Sequence, residues 1–518
     1  MSFQKGAAYS IVREEKFERK AAEALPKLYE RTVTPKRMVA TAQDPNALHG
    51  WKVVEKEAGK TSYGKGDEVI FDFGEHLVGY VSLHIEPEGS PPDAPAHLEF
   101  MFGEMPVEVS EPPGTYDGWI SSSWLQQARE HIDVLPWKLE LKRRYSFRYL
   151  KIRVLDTSQK FTVSFHDVTC TAVTSADRHA VPARSWEGEL LQELDEVSLR
   201  TLENCMQEVF EDGPKRDRRL WLGDLRLQAL ANYVTFGAND LVKRNLYQFA
   251  AVPNEEGRVA ANLFMKPKLI PDDTYLFDYA LFFATTLHDY YEYTNDKETL
   301  QELWPTAYRQ LEVGLERVEE NGIVRDDESW WSFIDWQKGL NKQAASQAIL
   351  VYALRKGAVM AEALGKTEQA VILQLQAEAA SQAAKAQLWD DEAGFYVSGE
   401  EKQISWASQV WMVYAGVLDK KEAKQLLQRL RETPPQIGMN TPYMHHHYAE
   451  ALCLYGELEE ALAHMRWYWG GMLEDGADTF WELYQPEDKT FSPYGNFLIN
   501  SYCHAWSCTP TYLLRKYF

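Results

Sequence analysis

The spacing of apolar positions changes once along this chain, near residue 177. From about 51 to 176 apolar and polar residues alternate in short runs. Glu68-Val69-Ile70-Phe71-Asp72-Phe73, Gly79-Tyr80-Val81-Ser82-Leu83-His84-Ile85 and His97-Leu98-Glu99-Phe100-Met101-Phe102 are three of them. The runs from Phe147 to Val154 and from Phe161 to Phe165 are two more. Gly, Pro, Asp and Ser clusters separate them. A period of two puts every second side chain on one face, and several such strands between turns predict an antiparallel β-sandwich.

Beyond 177 the period becomes 3.6. Leu190, Leu191, Leu194, Val197, Leu202, Cys205, Met206 and Val209 mark one amphipathic helix. Further helical stretches follow at 225–236, 239–251, 275–294, 297–319, 342–364, 366–388, 404–416, 420–431, 442–456, 457–472 and 498–515. Twelve helices in hairpins predict an all-α (α/α)6 barrel. A helical solenoid is the competitor, and the lack of a fixed-period sequence repeat favours the closed form. Residues 1–50 are mixed and read as a short helix ending near Pro26 or as a lead-in that packs on the sandwich. The expected division is therefore 1–50, 51–176 and 177–518. In a closed barrel the loops at one end converge on the axis, so acidic loops far apart in sequence can share a pocket.

Composition narrows the function. A formal net charge of −22 argues against nucleic acid and anionic membranes as partners. The five cysteines are odd in number and lack metal-ligand spacing, which reads as free thiols in a reducing compartment. The N-terminal stretch has no apolar core of a secretory signal, and no apolar run is long enough for a bilayer. The expectation is a cytoplasmic protein that needs neither cofactor nor metal. Its partner would be a carbohydrate, and a homodimer is allowed.

The candidate chemistry lies in four places. Glu211 to Asp224 carries Asp212, Asp217 and Asp224 at spacings of five and seven, with Arg216, Arg218, Arg219 and Trp221 among them. The Gly213-Pro214 pair makes this a loop between helices. Carboxylates for proton work, polar groups for hydroxyls and an indole for a sugar face are the parts of a glycosidase site; a surface salt-bridge loop is the plain alternative. The second place, Glu474 to Glu482, ends in Thr479-Phe480-Trp481-Glu482 and supplies a partner carboxylate. The third is Ser501 to Ser507, with His504. The fourth is Trp330 to Trp336, in which Asp335 and Trp336 suit a sugar platform and equally a core plug. Asp272, Asp273 and Tyr275 head another helix, where N-capping explains at least one of the aspartates. His445-His446-His447 falls in a helix, where consecutive side chains face different ways, so a metal site there is not expected.

These features together resemble glycoside hydrolase family 78, the α-L-rhamnosidases, over most of the chain. Asp72-Phe73-Gly74 through Val78-Gly79 and Phe147-Arg148-Tyr149 are similar to segments of the family's strand domain. Asp212 to Asp224 resembles its first acidic loop, and Gly476-Ala477-Asp478-Thr479-Phe480-Trp481-Glu482 its "GATT.WE" loop. The resemblance implies an exo-acting, inverting hydrolase that removes terminal α-L-rhamnose or a similar sugar. A barrel glycosidase of other specificity, or an inactive sugar-binding protein, is the alternative. By the same resemblance Asp217 would be the general acid and Glu482 the general base. Asp212, Arg216, Trp221, Asp224, Asp335, Trp336, Trp481 and His504 would bind substrate. The family commonly has Glu as the acid. Counting back seven from Asp224 reaches Asp217, whereas counting forward from Pro214 reaches Arg218. Only a carboxyl can donate the proton, so Asp217 is taken, with Arg218 and Arg219 expected to turn away from it.

Overall fold

The computed structural model describes residues 10–56, 60–112 and 114–518; the start of the lead-in lies outside them. Nine strands precede the helices: β1 (Tyr29–Val33), β2 (Arg37–Gln43), β3 (Trp51–Glu55), β4 (Glu68–Gly89), β5 (Ala96–Gly103), β6 (Gln127–Ile132), β7 (Trp137–Glu140), β8 (Tyr145–Asp156) and β9 (Phe161–Thr174). Every ladder is antiparallel, in one network ordered β1-β9-β4-β8-β5-β6, with β2, β3 and β7 branching from it. The long β4 belongs to two sets of strands. Its first half pairs with β2 and β8, and its second half with β7 and β9. Val69, Phe71, Phe73, Leu77, Val81, Leu83 and Ile85 all point to one side of β4 and meet Phe100, Phe147, Ile152 and Val163 in a single core. The odd positions of β4 are thus the inward ones, as period two requires.

The changeover falls at Gly79, which pairs with both Tyr145 and Ala172. A Cβ there would lie 2.8 Å from Ala172 Cα and would press into Thr171 O. Only glycine lets the three strands approach at this point.

Within residues 1–50, β1 and β2 join the sheet, whereas the helix lies elsewhere. Helix α1 (Glu15–Glu23) docks on the helical region, with Phe17 5.6 Å from Tyr247 and Lys20 2.8 Å from Glu302. The sheet already starts at Tyr29. A short helix, α2 (Pro106–Ser110), follows β5.

Twelve α-helices follow: α3 (Glu189–Cys205), α4 (Leu222–Val234), α5 (Asn239–Ala250), α6 (Phe277–Thr294), α7 (Lys297–Leu315), α8 (Gln343–Ala363), α9 (Thr367–Gln387), α10 (Trp406–Tyr414), α11 (Lys420–Glu432), α12 (Pro442–Leu454), α13 (Leu458–Glu474) and α14 (Thr509–Tyr517). They sort into two kinds. In α12 every residue from Pro442 to Cys453 is buried, whereas α11 buries only Ala423, Leu426, Leu427 and Leu430. A helix buried on all sides is surrounded, and a one-stripe helix faces water. The contacts agree: α4, α6, α8, α10, α12 and α14 pack each on the next, and α14 returns to α4, closing a ring. α3, α5, α7, α9, α11 and α13 lie outside it. The last helix starts later than its pattern predicts. Residues 500–508 stay outside regular helix, and Pro510 opens α14 in the first turn, where a missing N–H costs nothing. Among the described residues no helix is long and apolar enough to cross a membrane.

Gly79→Ala should destabilise the chain by about 1–3 kcal/mol or more through overpacking. Urea unfolding would read this as a lower midpoint, and an unchanged midpoint would mean that β4 and β9 can part without cost.

Candidate active site

The loop between α3 and α4 is folded around one carboxylate. Asp212 Oδ2 accepts the Asp217 N–H at 3.1 Å and Oδ1 accepts the Arg219 N–H at 3.0 Å. The Arg218 N–H donates to Gly213 O at 3.1 Å. These bonds turn neighbouring side chains to different sides. Arg218, at a left-handed φ of 62°, donates to Lys215 O and reaches Gln126 in the strand region. Arg219 lies over the Phe264 ring, 3.8 Å from Asp272. Neither bonds to Asp217, which stays partly exposed. Gly213 is needed here too: a Cβ would sit 2.5 Å from Ser501 Oγ and 3.0 Å from His504 Nδ1.

The segment 501–505 ties this loop to the second one. The Ala505 N–H donates to Asp212 O at 2.9 Å, the His504 N–H to Phe480 O at 2.9 Å, and the Glu482 N–H to Ser501 O at 3.0 Å. Glu482 is thereby brought beside the first loop. Its carboxylate accepts from Tyr494 Oη at 2.5 Å and from the Arg216 guanidinium. The other arm of Arg216 lies 3.6 Å from Asp217 Oδ1. Since a guanidinium is only about 2.3 Å across its terminal nitrogens, the two carboxyl groups are within about 9 Å of each other, a span that admits a sugar and a water.

The charges in this site are held unequally. Burial alone would push the Glu482 carboxyl up. The charges of Arg216 and His504 and the bonds from Tyr494 and Arg216 outweigh it, and hold Glu482 below the ordinary carboxylate value. Asp224 goes the other way: burial raises it although His504 Nε2 lies 3.1 Å away. Burial, then repulsion from Asp217, also raises Asp212, to about 7. Burial opposes the charge on His504, but Asp224, Glu482 and Asp212 lift the imidazole to about 9. His504 is a cation at neutral pH, set among acids.

Of the other predicted residues, Trp336 borders the site, 5.8 Å from Tyr494. Trp221 packs edge-on to Tyr279 at the start of α4. Asp335 does not present a free carboxylate. Its oxygens accept from the Asn440 and Trp336 amides and the Thr441 hydroxyl, and burial raises it to about 6. Trp481 is buried and packs against Tyr484 and Tyr502. Trp506, equally buried, donates to Glu482 O at 2.8 Å and lies 4.7 Å from His504. Trp330 is a core plug against Phe277. Asp272 bonds Asn262 and Thr274 instead of capping α6. Protein groups surround the histidine run: His445 is 3.0 Å from His464, His446 is 3.2 Å from Glu450, and His447 accepts from Arg226 at 3.1 Å. Sequence reasoning passed over Tyr494, Trp506 and Lys215.

Lys215 links this site to the strands. Its ammonium is fully buried and donates to Glu108 at 2.5 Å, Asn500 O at 2.8 Å and Leu498 O at 2.9 Å. Glu104 accepts the Tyr502 N–H at 2.7 Å and lies 3.1 Å from His76 Nε2. The His76 amide in turn donates to Asp478, which Arg200 holds at 2.5 Å. Each of the three loop segments of the site is thus bonded to a side chain or amide of the strand region.

Two family descriptions match the chain. Residues 35–172 match the N-terminal domain of the glycosyl hydrolase family 78 α-rhamnosidases. Residues 186–518, well over half of the chain, match the six-hairpin glycosidase domain of bacterial α-L-rhamnosidases. The chain belongs to glycoside hydrolase family 78. Among solved structures, a rhamnosidase from Klebsiella oxytoca with rhamnose bound is 49% identical, with a TM-score of 0.96, covering 98% of this chain and 99% of that one. A family 78 rhamnosidase of Bacillus sp. GL1 shares the fold at 24% identity and a TM-score of 0.73, covering 87% of this chain and 46% of that one. A curated α-L-rhamnosidase of Formosa agariphila is 23% identical over 309 residues, 57% of this chain. The match spans about a third of that relative's length, 31%.

Two outcomes follow for this family 78 chain. Lys215→Met should cost about 3–5 kcal/mol by leaving Glu108 buried and unpaired, and adding Glu108→Gln should restore part of the loss; urea midpoints decide it, and a single variant of wild-type stability would remove Lys215 from its role. His504 and His76 both titrate near 9 in the folded chain, against about 6.5 unfolded. Their contribution is complete below about pH 6.5 and is lost as pH rises through 9. Melting temperature should fall across that window, and His504→Gln should flatten the fall.

Proposed function

We propose that the chain is an exo-acting, inverting α-L-rhamnosidase. The observation that carries this reading is the placement of Asp217 and Glu482 on the two arms of one guanidinium. That constellation occurs in a chain that superimposes end to end on a rhamnosidase with rhamnose bound. The closed order of helix packing supports an (α/α)6 barrel over 177–518, with a β-sandwich before it. The site lies at one end of that barrel, where the loops after α3 and α13 converge.

In this scheme Asp217 is the general acid. It protonates the glycosidic oxygen, the C1–O bond breaks, and the aglycone leaves. Glu482, kept ionised by Arg216 and His504, takes a proton from a water on the opposite face of the sugar. The water oxygen bonds to C1 with inverted configuration. Asp224 with His504, and Arg216 when substrate displaces part of its contacts, are placed for the sugar hydroxyls. Asp212 organises the loop that presents Asp217. Trp221, Trp336 and Trp506 supply the apolar walls. Five free, buried cysteines, two of them 3.9 Å apart, support a reducing compartment such as the cytoplasm.

Asp217→Asn and Glu482→Gln should each lower kcat on p-nitrophenyl α-L-rhamnoside by several orders of magnitude while leaving the melting temperature near that of wild type. Release of β-L-rhamnose first, seen by NMR during wild-type turnover, would establish inversion. Wild-type rates in either variant, or release of the α anomer first, would refute the scheme.

A further inference from the structure

A cavity of about 250 Å³ lies between α9 and α11, two of the outer helices. None of its lining residues belongs to the loops that carry Asp217, Glu482 and His504. One wall is a hairpin in the connection from α9 to α10. There Trp389 pairs directly with Tyr396, and their rings meet edge to face at 5.2 Å. The other wall is formed by Glu422, Gln425, Leu426 and Arg429 of α11, whose spacings of three and four place them on one face of the helix.

The groups at this cavity are held in place, yet several of their bonding positions are open. The side-chain amide of Gln409 in α10 bonds both the N–H and the O of Tyr396, each at 2.8 Å. The Tyr396 side chain is thereby kept inside and is only 1% exposed. Its hydroxyl has no protein partner among the described residues, and neither has the side-chain amide of Gln425. A buried phenol without a partner is costly unless something in the adjoining cavity meets it.

Arg429 is pinned by one bond, from Nη1 to Gly394 O at 2.8 Å. Gly394 has a φ of 67°, and a Cβ there would fall on the same guanidinium, so only glycine serves. The rest of the guanidinium bonds to nothing and forms no ion pair among the described residues. Lys385 and Glu422 at the rim offset each other, 2.9 Å apart. Arg429 therefore gives the cavity one uncompensated positive charge, in a chain whose formal net charge is −22.

An indole, a phenol with an open amide near it, and a lone guanidinium line the same cavity. A ring with an apolar C–H face, several hydroxyls and a carboxylate would use all three. A neutral sugar would leave Arg429 idle, and a flat aromatic acid would leave Tyr396 and Gln425 idle. The volume suits one ring and not a chain of them. We propose that this cavity is a second sugar site, separate from the catalytic one, that takes the ring of a uronate. The carboxylate lies on Arg429, hydroxyls meet Tyr396 and Gln425, and the C–H face lies against Trp389. The proposal does not depend on the glycosidase reading of Asp217 and Glu482.

The test is a titration followed by ligand-observed NMR, with D-glucuronate and D-glucose, which differ only at C6. Glucuronate should bind, and glucose should bind about two- to fivefold more weakly. Tyr396→Phe should weaken glucuronate about two- to tenfold, and Arg429→Gln should bring it to the level of glucose. Benzoate should bind no better than glucose. If Arg429→Gln fails to fold for want of its bond to Gly394, Tyr396→Phe and the exposed Gln425→Ala decide in its place. Absence of glucuronate binding overturns the proposal. So do equal affinities for the two sugars, and a glucuronate affinity that Tyr396→Phe and Gln425→Ala leave unchanged. Glucuronate that L-rhamnose displaces would belong to the catalytic pocket, and that outcome overturns it as well.

Discussion

The buried ammonium of Lys215 holds the strand region and the catalytic loops together. It has no access to water, so its charge must be met by Glu108 of α2 and by the carbonyls of Leu498 and Asn500. A buried pair of this kind adds little net stability, because desolvation consumes most of the Coulomb gain. What it does is forbid alternatives: any arrangement that separates the two charges leaves one unpaired in the interior. Glu104, His76 and Asp478 repeat the pattern a few ångströms away. The strand region is therefore a clamp on the loops that carry Asp217, Glu482 and His504, and the relative position of those groups depends on it.

Within the clamp, Arg216 sets the state of the base. Its guanidinium is shared between two carboxyls but bonds directly only to Glu482, with the Asp217 oxygen 3.6 Å away. This cation favours ionisation of Glu482, the state that the proposed base needs. His504 adds to it, as a second cation bordering Asp224 and Glu482. Asp212 and Asp224 are raised by burial and surround these cations with carboxyls that hold protons more readily.

The regular parts of this fold were legible because burial there follows a period. The strands of the sheet core alternate, and outer helices such as α11 bury a single stripe, so both patterns reach the sequence. β1 was not legible: four of its five residues are exposed, and an edge strand without an inward face carries no alternation. The docking of the lead-in helix on α5 was not legible, because local sequence says that a helix forms, not where it packs. In the site, the acidic loops were legible through residue type and spacing, with the family resemblance to pair them. Trp481 and Trp506 could not be told apart. Which of them neighbours His504 follows from the pairing of 480–482 with 501–504, which has no local signature. Lys215 and Glu108 are 107 positions apart, and a lone charged residue in a loop reads as solvated until its partner is seen.

Asp217 was preferred to Arg218 because only a carboxyl can donate the proton, and the local geometry bears on how it would do so. An aspartate reaches about one methylene less far than the glutamate common in the family, so its backbone must be held closer to the substrate. The Asp212 carboxylate does this by accepting the amides of both 217 and 219, drawing the chain into a tight turn around itself. The positive φ of Arg218 then sends the arginine back toward Lys215 O and Gln126, out of the site. In a longer or looser loop, either the aspartate would fall short or the arginine would enter and neutralise it. The short loop and the short acid are therefore one feature. The same bonds that keep Arg218 out position Asp217, and that makes Asp212, which need not touch the sugar at all, as necessary to the proposed acid as the acid's own carboxyl.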